Sequence, residues 1–288
     1  MAVASGTALL FPGQGSQAPG MRELVERVSP ELLALARSEV GDDPFERLEE
    51  GTGYAQPALY CASIASWIDA GRPEAEYVVG HSLGELAALA AAGAMEIDAG
   101  LRLAAVRGRA MQEAAERDPD GGGMVAILGD DAVAREIAAR LGLVIANDNA
   151  PGQLVLSGPS SAVDAARPAA KQAGLKAIRL KVAGPFHSEA MAPALPAFRA
   201  ELGRITFSKP RMTVLSSITT EPFDDIAARL ADALTLPVRW RESLLALREA
   251  GVRRFVETGP GKVLTGLVRR TLPDAEALSL SDPEPARA

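Results

Sequence analysis

A short apolar run at Tyr77–Val79 is followed at once by Gly80–Gly84, which reads Gly-His-Ser-Leu-Gly, and then by an Ala- and Leu-rich run ending at Ala94. The first run predicts a buried strand and the last a helix. A G-x-S-x-G pattern between a strand and a helix places the serine on a sharp turn, where the flanking glycines relieve crowding. The backbone N–H groups at the start of such a helix point toward charge that develops beside the serine oxygen. Ser82 is therefore a candidate nucleophile, and a Gly-flanked turn in which the serine caps the helix is the structural alternative.

A serine nucleophile needs a base, and the chain contains only two histidines. His81 is adjacent to Ser82, and its side chain should leave the turn in another direction, so we expect a structural role for it. His187 lies in the Gly- and Pro-broken segment Ala183–Ser188, and loops of this kind between two domains commonly line a cleft. His187 is the candidate base. The residues alone do not identify the group that orients it: no Asp or Glu stands out, and a backbone carbonyl is an alternative.

The predicted order of strands and helices differs between the outer parts of the chain and its middle. Strand–turn–helix alternation in its outer parts predicts a mainly parallel sheet covered on both faces. After a linker at Asp118–Gly123, the order becomes βαββαβ, which is typical of a ferredoxin-like antiparallel sheet with two helices on one face. We predict an α/β protein: an α/β-hydrolase-like large domain with a parallel sheet, residues 1–122 and 188–288, and an inserted ferredoxin-like subdomain, residues 123–187. The tail Ser281–Ala288 is predicted to be disordered.

Composition excludes several classes of function. The net charge of −7 argues against a general nucleic-acid binder, which would need a broad basic surface. No apolar run reaches the roughly 20 residues that a membrane-spanning helix needs, and the N-terminal pattern is not that of a secretory signal. Cys61 is the only cysteine, so no internal disulfide can form and a reducing compartment is favoured. We expect a cytoplasmic protein with no metal and no bound cofactor, since no Cys/His cluster is present to hold one.

Several segments in a fixed order resemble one known family. These segments are Phe11–Gln17, Gln56–Ala58, Gly80–Glu85, Arg107–Gln112, Pro185–Ser188 and Gly259–Leu264. Together they resemble the malonyl-CoA:acyl carrier protein transacylase family, which includes free-standing acyltransferases of polyketide pathways. The resemblance extends from residue 11 to about residue 270. Taken alone, Phe11–Gln17 is also compatible with a plain Gly-rich turn or a phosphate loop, although it lacks the Gly-Lys-Ser/Thr ending of a P-loop.

The resemblance implies a role for each of the matching residues. Ser82 would be the nucleophile and His187 its base, oriented by a main-chain carbonyl that we assign to Ala233. The backbone N–H groups of Gln14 and Leu83 would bind the oxyanion that forms during acyl transfer.

The resemblance also implies an acidic acyl group. Arg107 would pair with the free carboxylate of a malonyl group, because a planar guanidinium matches a carboxylate in a way that lysine does not. Phe186 leaves little room for an α-methyl branch and so favours malonyl over methylmalonyl. Asn147 and Asn149 match an Asn-rich segment near the family's cleft, and turn formation explains them equally well. Leu86 departs from the Tyr or Phe that is usual after Gly-Glu in the family.

The function implied is transfer of malonyl from malonyl-CoA to the phosphopantetheine thiol of an acyl carrier protein, through an ester on Ser82. The partners would be malonyl-CoA and the carrier protein, with no nucleic acid or membrane, and we expect a monomer. Basic side chains that could meet an acidic carrier are Lys171, Lys176, Arg179, Lys181, Arg269 and Arg270. Three alternatives stay open: a serine hydrolase or thioesterase that uses water, a docking subunit without catalysis, and malonyl transfer within a malonate decarboxylase system.

Overall fold

Two β-sheets organise the chain in the computed structural model, which describes residues 4–117 and 121–281. The strands are β1 (Ala4–Phe11), β2 (Ala75–Gly80), β3 (Gly122–Leu128), β4 (Val144–Ala150), β5 (Gln153–Pro159), β6 (Lys176–Arg179), β7 (Thr213–Leu215), β8 (Arg254–Glu257) and β9 (Glu276–Ser279). The helices are α1 (Met21–Val28), α2 (Pro30–Val40), α3 (Thr52–Asp69), α4 (Gly84–Ala91), α5 (Ile97–Glu116), α6 (Asp131–Leu141), α7 (Ser160–Gln172), α8 (Leu195–Leu202), α9 (Ile226–Asp232), α10 (Trp240–Glu249) and α11 (Val263–Thr271). Residues 118–120 of the predicted linker and 282–288 of the predicted tail lie outside the described residues.

The larger sheet is parallel throughout, with the strand order β7-β2-β1-β8-β9. β1 lies at its centre and pairs with β2 up to the register Phe11↔Gly80. The carboxyl ends of these two strands therefore meet at one edge of the sheet, which is where open α/β sheets bind their ligands. The helix that follows β2, α4, is buried along its whole length because its side chains are almost all Ala and Leu.

The smaller sheet is antiparallel, in the order β4-β5-β3-β6, and belongs to a βαββαβ segment. Its strands alternate between two environments, as the two-residue period of a strand requires. In β3, Val125 and Ile127 pack with α6 and α7, whereas Met124 and Ala126 join the core of the larger unit. The predicted α/β fold with a parallel sheet and a small antiparallel sheet is confirmed, and the domain boundaries at 122/123 and 187/188 stay a prediction.

Ion pairs tie the small sheet to the rest of the chain. Arg241, in α10, binds Asp131 and Asp148 at 2.6 Å each, and Arg135 binds Asp148 at 2.8 Å. The Val238 amide donates to the Ala146 carbonyl at 2.8 Å, which extends β4 toward the segment before α10. These contacts fix the small sheet beside the carboxyl edge of the large one.

The segment Met21–Val40 forms two helices, α1 and α2, because Pro30 disfavours the helical conformation at Ser29 (φ −148°) and starts α2 as its first residue. β9 was not predicted from the sequence. Within the described ranges, no helix is long and apolar enough to cross a membrane.

Substituting Gly84 with alanine should destabilise the fold by about 1–3 kcal/mol, because the added Cβ would overlap the Phe11 carbonyl at the start of α4. The matched control is Gly266→Ala in α11, where a Cβ meets nothing within 4 Å. That variant should be more stable by about 0.5–1 kcal/mol, because glycine weakens a helix interior. Urea unfolding measures both, and equal stabilities of the two variants would contradict the expected crowding.

Candidate active site

Ser82 stands on the tight turn that the sequence predicts between β2 and α4. Its φ of 53° lies in the left-handed region, which is strained for a side chain other than glycine. The two glycines are required by close packing: a Cβ on Gly80 would overlap the backbone of Gly84 and Glu85. The His81 amide donates to the Phe11 carbonyl at 2.9 Å and anchors the turn to β1.

Ser82 and His187 meet although they are 105 positions apart in the chain, with 2.9 Å between Ser82 Oγ and His187 Nε2. His187 also has a positive φ, 57°, so the backbone is strained on both sides of this contact. Its Nδ1 lies 3.1 Å from the Leu236 carbonyl oxygen, which can only accept. Nδ1 therefore carries the proton, and Nε2 is left to accept the hydrogen bond from the Ser82 hydroxyl.

The Leu236 carbonyl, which was not predicted, acts on the His187 ring together with the predicted Ala233 carbonyl. The hydrogen bond goes to Leu236, and the Ala233 carbonyl adds a weaker contribution of the same sign to the pKa of His187. Ala233 still has helical dihedral angles at the end of α9, so its carbonyl follows the helix axis. Leu236 precedes Pro237, which disfavours the helical conformation at that residue.

Arg107, in the middle of α5, also contacts the Ser82 hydroxyl. Arg107 is 3% exposed, and its Nη2 donates to Ser82 Oγ at 3.0 Å. Nη1 donates to Gln56 Oε1 at 2.8 Å. Among the residues that the structure describes, no carboxylate lies within ion-pair distance of Arg107. Burial lowers the pKa of Arg107 to about 10, against the opposing effect of the nearby Glu85 charge, and the guanidinium is still charged at neutral pH. A buried cation with no carboxylate in ion-pair contact is costly.

A chain of buried polar side chains runs on from Arg107 and was not predicted as part of the site. Gln56 Nε2 donates to Thr52 Oγ1 at 2.8 Å, and the Thr52 hydroxyl donates to Gln14 Oε1 at 2.8 Å. Gln56 is fully buried on the otherwise apolar face of α3. That signal was visible in the sequence as a glutamine inside a long apolar helix, but its partners were not.

The side chains converge on a cavity of about 130 Å³. It is lined by Gln14, His81, Ser82, Leu83, Arg107, Met111, Met124, Asn147, Asn149, Val155, Leu180, Val182, Phe186 and His187. A groove of about 660 Å³ adjoins it and shares Gln14, Leu180 and Val182. The backbone N–H groups of Gln14 and Leu83 donate no hydrogen bond within the described part of the chain, so both are available to donate one to an oxyanion.

Phe186, Asn147 and Asn149, the other predicted site residues, also line this cavity, and each makes different contacts. Phe186 is 5% exposed and forms part of the wall. Asn149 Oδ1 lies 2.9 Å from His81 Nε2, and the His81 ring packs on Trp240 with 5.3 Å between centroids. His81 thus turns away from the Ser82 hydroxyl and holds Asn149. Asn147 lines the cavity and forms a strand bridge with Val238.

Electrostatics keep the candidate base neutral. Burial, and after it the charge of Arg107, lower the pKa of His187 to about 3, and the Leu236 and Ala233 carbonyls only partly oppose this shift. An unprotonated imidazole beside a serine hydroxyl is the form that accepts a proton. In the described part of the chain, no group of three or more His, Cys, Asp or Glu side chains could hold a metal. The absence of a metal and a cofactor stays a prediction.

The comparisons with known proteins agree across nearly the whole chain. The model of the acyl transferase domain matches residues 38–282. The malonyl CoA-acyl carrier protein transacylase of Salmonella typhimurium is 39% identical over 301 aligned positions, which cover 96% of each protein. This chain belongs to the malonyl-CoA:acyl carrier protein transacylase family.

Solved structures of the transacylase family have the same fold. The crystal structure of malonyl-CoA:acyl carrier protein transacylase from Xanthomonas oryzae pv. oryzae matches with a TM-score of 0.89 and 35% identity, over 98% of this chain and 96% of that one. A chain of PlMCAT:AntF (holo), a type II polyketide synthase acyl carrier protein in complex with its malonyl-transacylase, matches with a TM-score of 0.82 and 35% identity, over 95% of this chain and 94% of that one.

A polyketide biosynthesis protein is also a relative. ThaF of Burkholderia thailandensis is 39% identical over 94% of this chain, which spans only 25% of ThaF.

Leu86, at a position where Tyr or Phe is usual in the family, is 1% exposed in the core behind the nucleophile turn.

Arg107→Ala should raise the pKa of His187, because it removes a positive charge that disfavours the imidazolium and admits water to the site. NMR titration of the ring protons measures this directly, since the chain has only two histidines. His81 is an internal reference, as the causes that lower its pKa do not include Arg107. Arg109→Ala, an exposed change on the same helix, is the control. An unchanged or lower pKa of His187 in Arg107→Ala would contradict the coupling.

Proposed function

We propose that this chain transfers a malonyl group from malonyl-CoA to the phosphopantetheine thiol of an acyl carrier protein, through an ester on Ser82. One observation carries the proposal: a buried arginine that makes no ion pair within the described part of the chain lies 3.0 Å from the hydroxyl that the candidate base also contacts. A carboxylate on the acyl group would supply the missing countercharge. The family relationship supports the same function.

In the first half of the reaction, Ser82 Oγ attacks the thioester carbonyl and its proton passes to His187 Nε2. The oxyanion of the tetrahedral intermediate accepts hydrogen bonds from the N–H groups of Gln14 and Leu83. The C–S bond then breaks, and His187 returns the proton to the sulfur of CoA. Losing one such oxyanion donor typically costs about 3 kcal/mol of barrier height.

In the second half, the carrier's thiol replaces CoA and the steps run in reverse. His187 takes the thiol proton, the sulfur attacks the ester, and the bond to Ser82 Oγ breaks as the proton returns to that oxygen. CoA and the carrier protein thus use the same Ser82 in turn, which is ping-pong kinetics.

The acyl group itself improves the base in this scheme. In the free protein the charge of Arg107 helps to hold the pKa of His187 low. A bound malonyl carboxylate would pair with Arg107 and cancel much of that field, so His187 would become more basic when the acidic acyl group is in place. A neutral acyl group would leave the arginine unpaired and the base weak.

The groove of about 660 Å³ next to the cavity is where we place the phosphopantetheine arm of either partner. Lys181 is exposed on its wall, while Arg179 pairs with Asp164 and Arg270 bonds to Gln153. Of the basic side chains considered for carrier docking, Lys181 is therefore the best placed. A cytoplasmic, monomeric protein remains our expectation.

Mixing the protein with malonyl-CoA should add one malonyl group to the wild type and none to Ser82→Ala, as measured by intact mass. Arg107→Ala should lose its preference for malonyl-CoA over acetyl-CoA by about 30-fold or more, because truncating one partner of a buried charge pair costs about 2–5 kcal/mol. Arg109→Ala controls for the loss of an arginine from the same helix.

The rival functions give different results in this experiment. A thioesterase would release free malonate from malonyl-CoA in the absence of carrier, and a docking subunit without catalysis would carry no adduct on Ser82. A stable adduct that a holo carrier protein discharges, and that water and the apo carrier do not, would agree with the transferase.

Phe186→Ala should raise the ratio of methylmalonyl-CoA to malonyl-CoA reactivity by about 10-fold or more, because removing the ring makes room for the α-methyl group. Competition between the two esters on the same enzyme sample measures the ratio, which cancels any loss of folded protein. An unchanged ratio would show that Phe186 does not limit the size of the acyl group.

A further inference from the structure

Glu85 is a buried acidic group that the proposed reaction does not use. It lies three residues after Ser82 in the first turn of α4 and is 0% exposed. Its Oε1 accepts the Ser217 amide at 2.7 Å and the Ser217 hydroxyl at 2.9 Å. Its Oε2 has no hydrogen-bond partner among the described residues. A buried carboxyl group half of which is unsatisfied is costly, so its presence calls for a physical reason.

The contacts of Glu85 lead back to the candidate base. The Ser217 carbonyl accepts the Arg239 amide at 2.7 Å. Arg239 is three residues after Leu236, whose carbonyl holds Nδ1 of His187. The Glu85 amide, in turn, donates to the Ser82 carbonyl at 3.1 Å.

These bonds form a closed circuit through two distant parts of the chain. It runs from Ser82 to His187, along the loop from Leu236 to Arg239, across to Ser217, and through Glu85 back to Ser82. Within this circuit, Glu85 supplies the side-chain link between the helix that carries the nucleophile and the strand-end turn that supports the loop of the base.

We propose that Glu85 is a positioning residue: by accepting both Ser217 donors, it fixes the loop whose Leu236 carbonyl sets the tautomer and direction of the His187 ring. The inference rests on the proposed function for its kinetic consequences only, because the position of the ring can be measured without any substrate.

The hydrogen-bonding capacity of Glu85, not its charge, performs this role. Burial raises the pKa of Glu85 to about 7, against the opposing effects of the Ser217 hydrogen bonds and the Arg107 charge, so much of it carries a proton at neutral pH. The protonated acid and a glutamine have the same shape and the same accepting oxygen. Glu85→Gln should therefore keep the loop in place, while Glu85→Met keeps the volume and loses the acceptor.

Glu257 provides a matched control. It is also 0% exposed and also accepts a backbone amide and a hydroxyl from one residue, Thr265, each at 2.7 Å. It holds the start of α11 and has no link to the loop of His187. Glu257→Met should cost stability as Glu85→Met does, but should not move the ring.

The first measurement is the NMR signal of the His187 Nδ1 proton and the ring ¹⁵N shifts, which report the bond to Leu236. We expect these to change in Glu85→Met and to stay as in the wild type in Glu85→Gln and Glu257→Met. Ser217→Ala, which removes only the hydroxyl donor, should cause a smaller change in the same direction and remains informative if Glu85→Met does not fold.

The second measurement is single-turnover malonylation of Ser82. Glu85→Met should lower the rate constant at saturating malonyl-CoA by about 10- to 100-fold, the range for misplacing a catalytic group by up to about 1 Å. The half-saturating concentration should change less than the rate constant, because Glu85 lines neither the cavity nor the groove. Glu85→Gln, which removes the same charge near Arg107, should stay within about threefold of the wild type.

The inference is overturned if the His187 signals of folded Glu85→Met match the wild type, or if Glu257→Met moves them as far. It is also overturned if Glu85→Gln loses as much rate as Glu85→Met, since the charge would then be the cause. A wild type that forms no malonyl adduct would refute the proposed function and would leave the NMR test of Glu85 intact.

Discussion

The hydrogen bond between Ser82 and His187 is the contact on which the rest of the site depends. Both residues have a positive φ, and such backbone strain costs about 1–3 kcal/mol at each position. The strain is sustained by packing around each turn. On the serine side, Gly80 and Gly84 allow β1, β2 and α4 to approach more closely than any side chain would permit.

The charge of Arg107 connects recognition with chemistry in the proposed reaction. Arg107 is buried without a described acidic partner, so its desolvation is an unfavourable contribution to folding that a bound carboxylate would offset. The same charge helps to keep His187 neutral. Because the arginine touches the serine hydroxyl directly, one guanidinium would influence both substrate binding and base strength in the proposed reaction.

The site lies between the two sheets, and each sheet contributes different residues to it. The parallel sheet supplies the turn of Ser82, and the antiparallel sheet supplies a wall containing Met124, Asn149 and Val155. Arg241 holds the two together through Asp131 and Asp148. The loop before α10 is bonded to His187 through Leu236 and to β4 through Val238. The position of the His187 ring therefore depends on how this loop packs against the small sheet.

Local patterns in the sequence determined the elements and the chemical identity of the site. The helix Asp131–Leu141 and the strand Arg254–Glu257 follow from local signals, namely the periodicity of their apolar residues and their flanking residues. Ser82 was recognisable because a strand, a glycine turn and a helix are consecutive in the chain. His187 could be selected because the chain offers only two histidines.

Tertiary structure alone decided the partners of these residues. The carbonyl of Leu236 was missed in favour of Ala233, and the roles of Gln56, Thr52 and Glu85 were not visible. The residue types at these positions permit many hydrogen bonds, and the choice among them depends on how segments 38 to 132 positions apart approach each other. A periodic pattern in the sequence indicates which face of a helix or strand is buried. It does not indicate which atoms of other elements that face contacts.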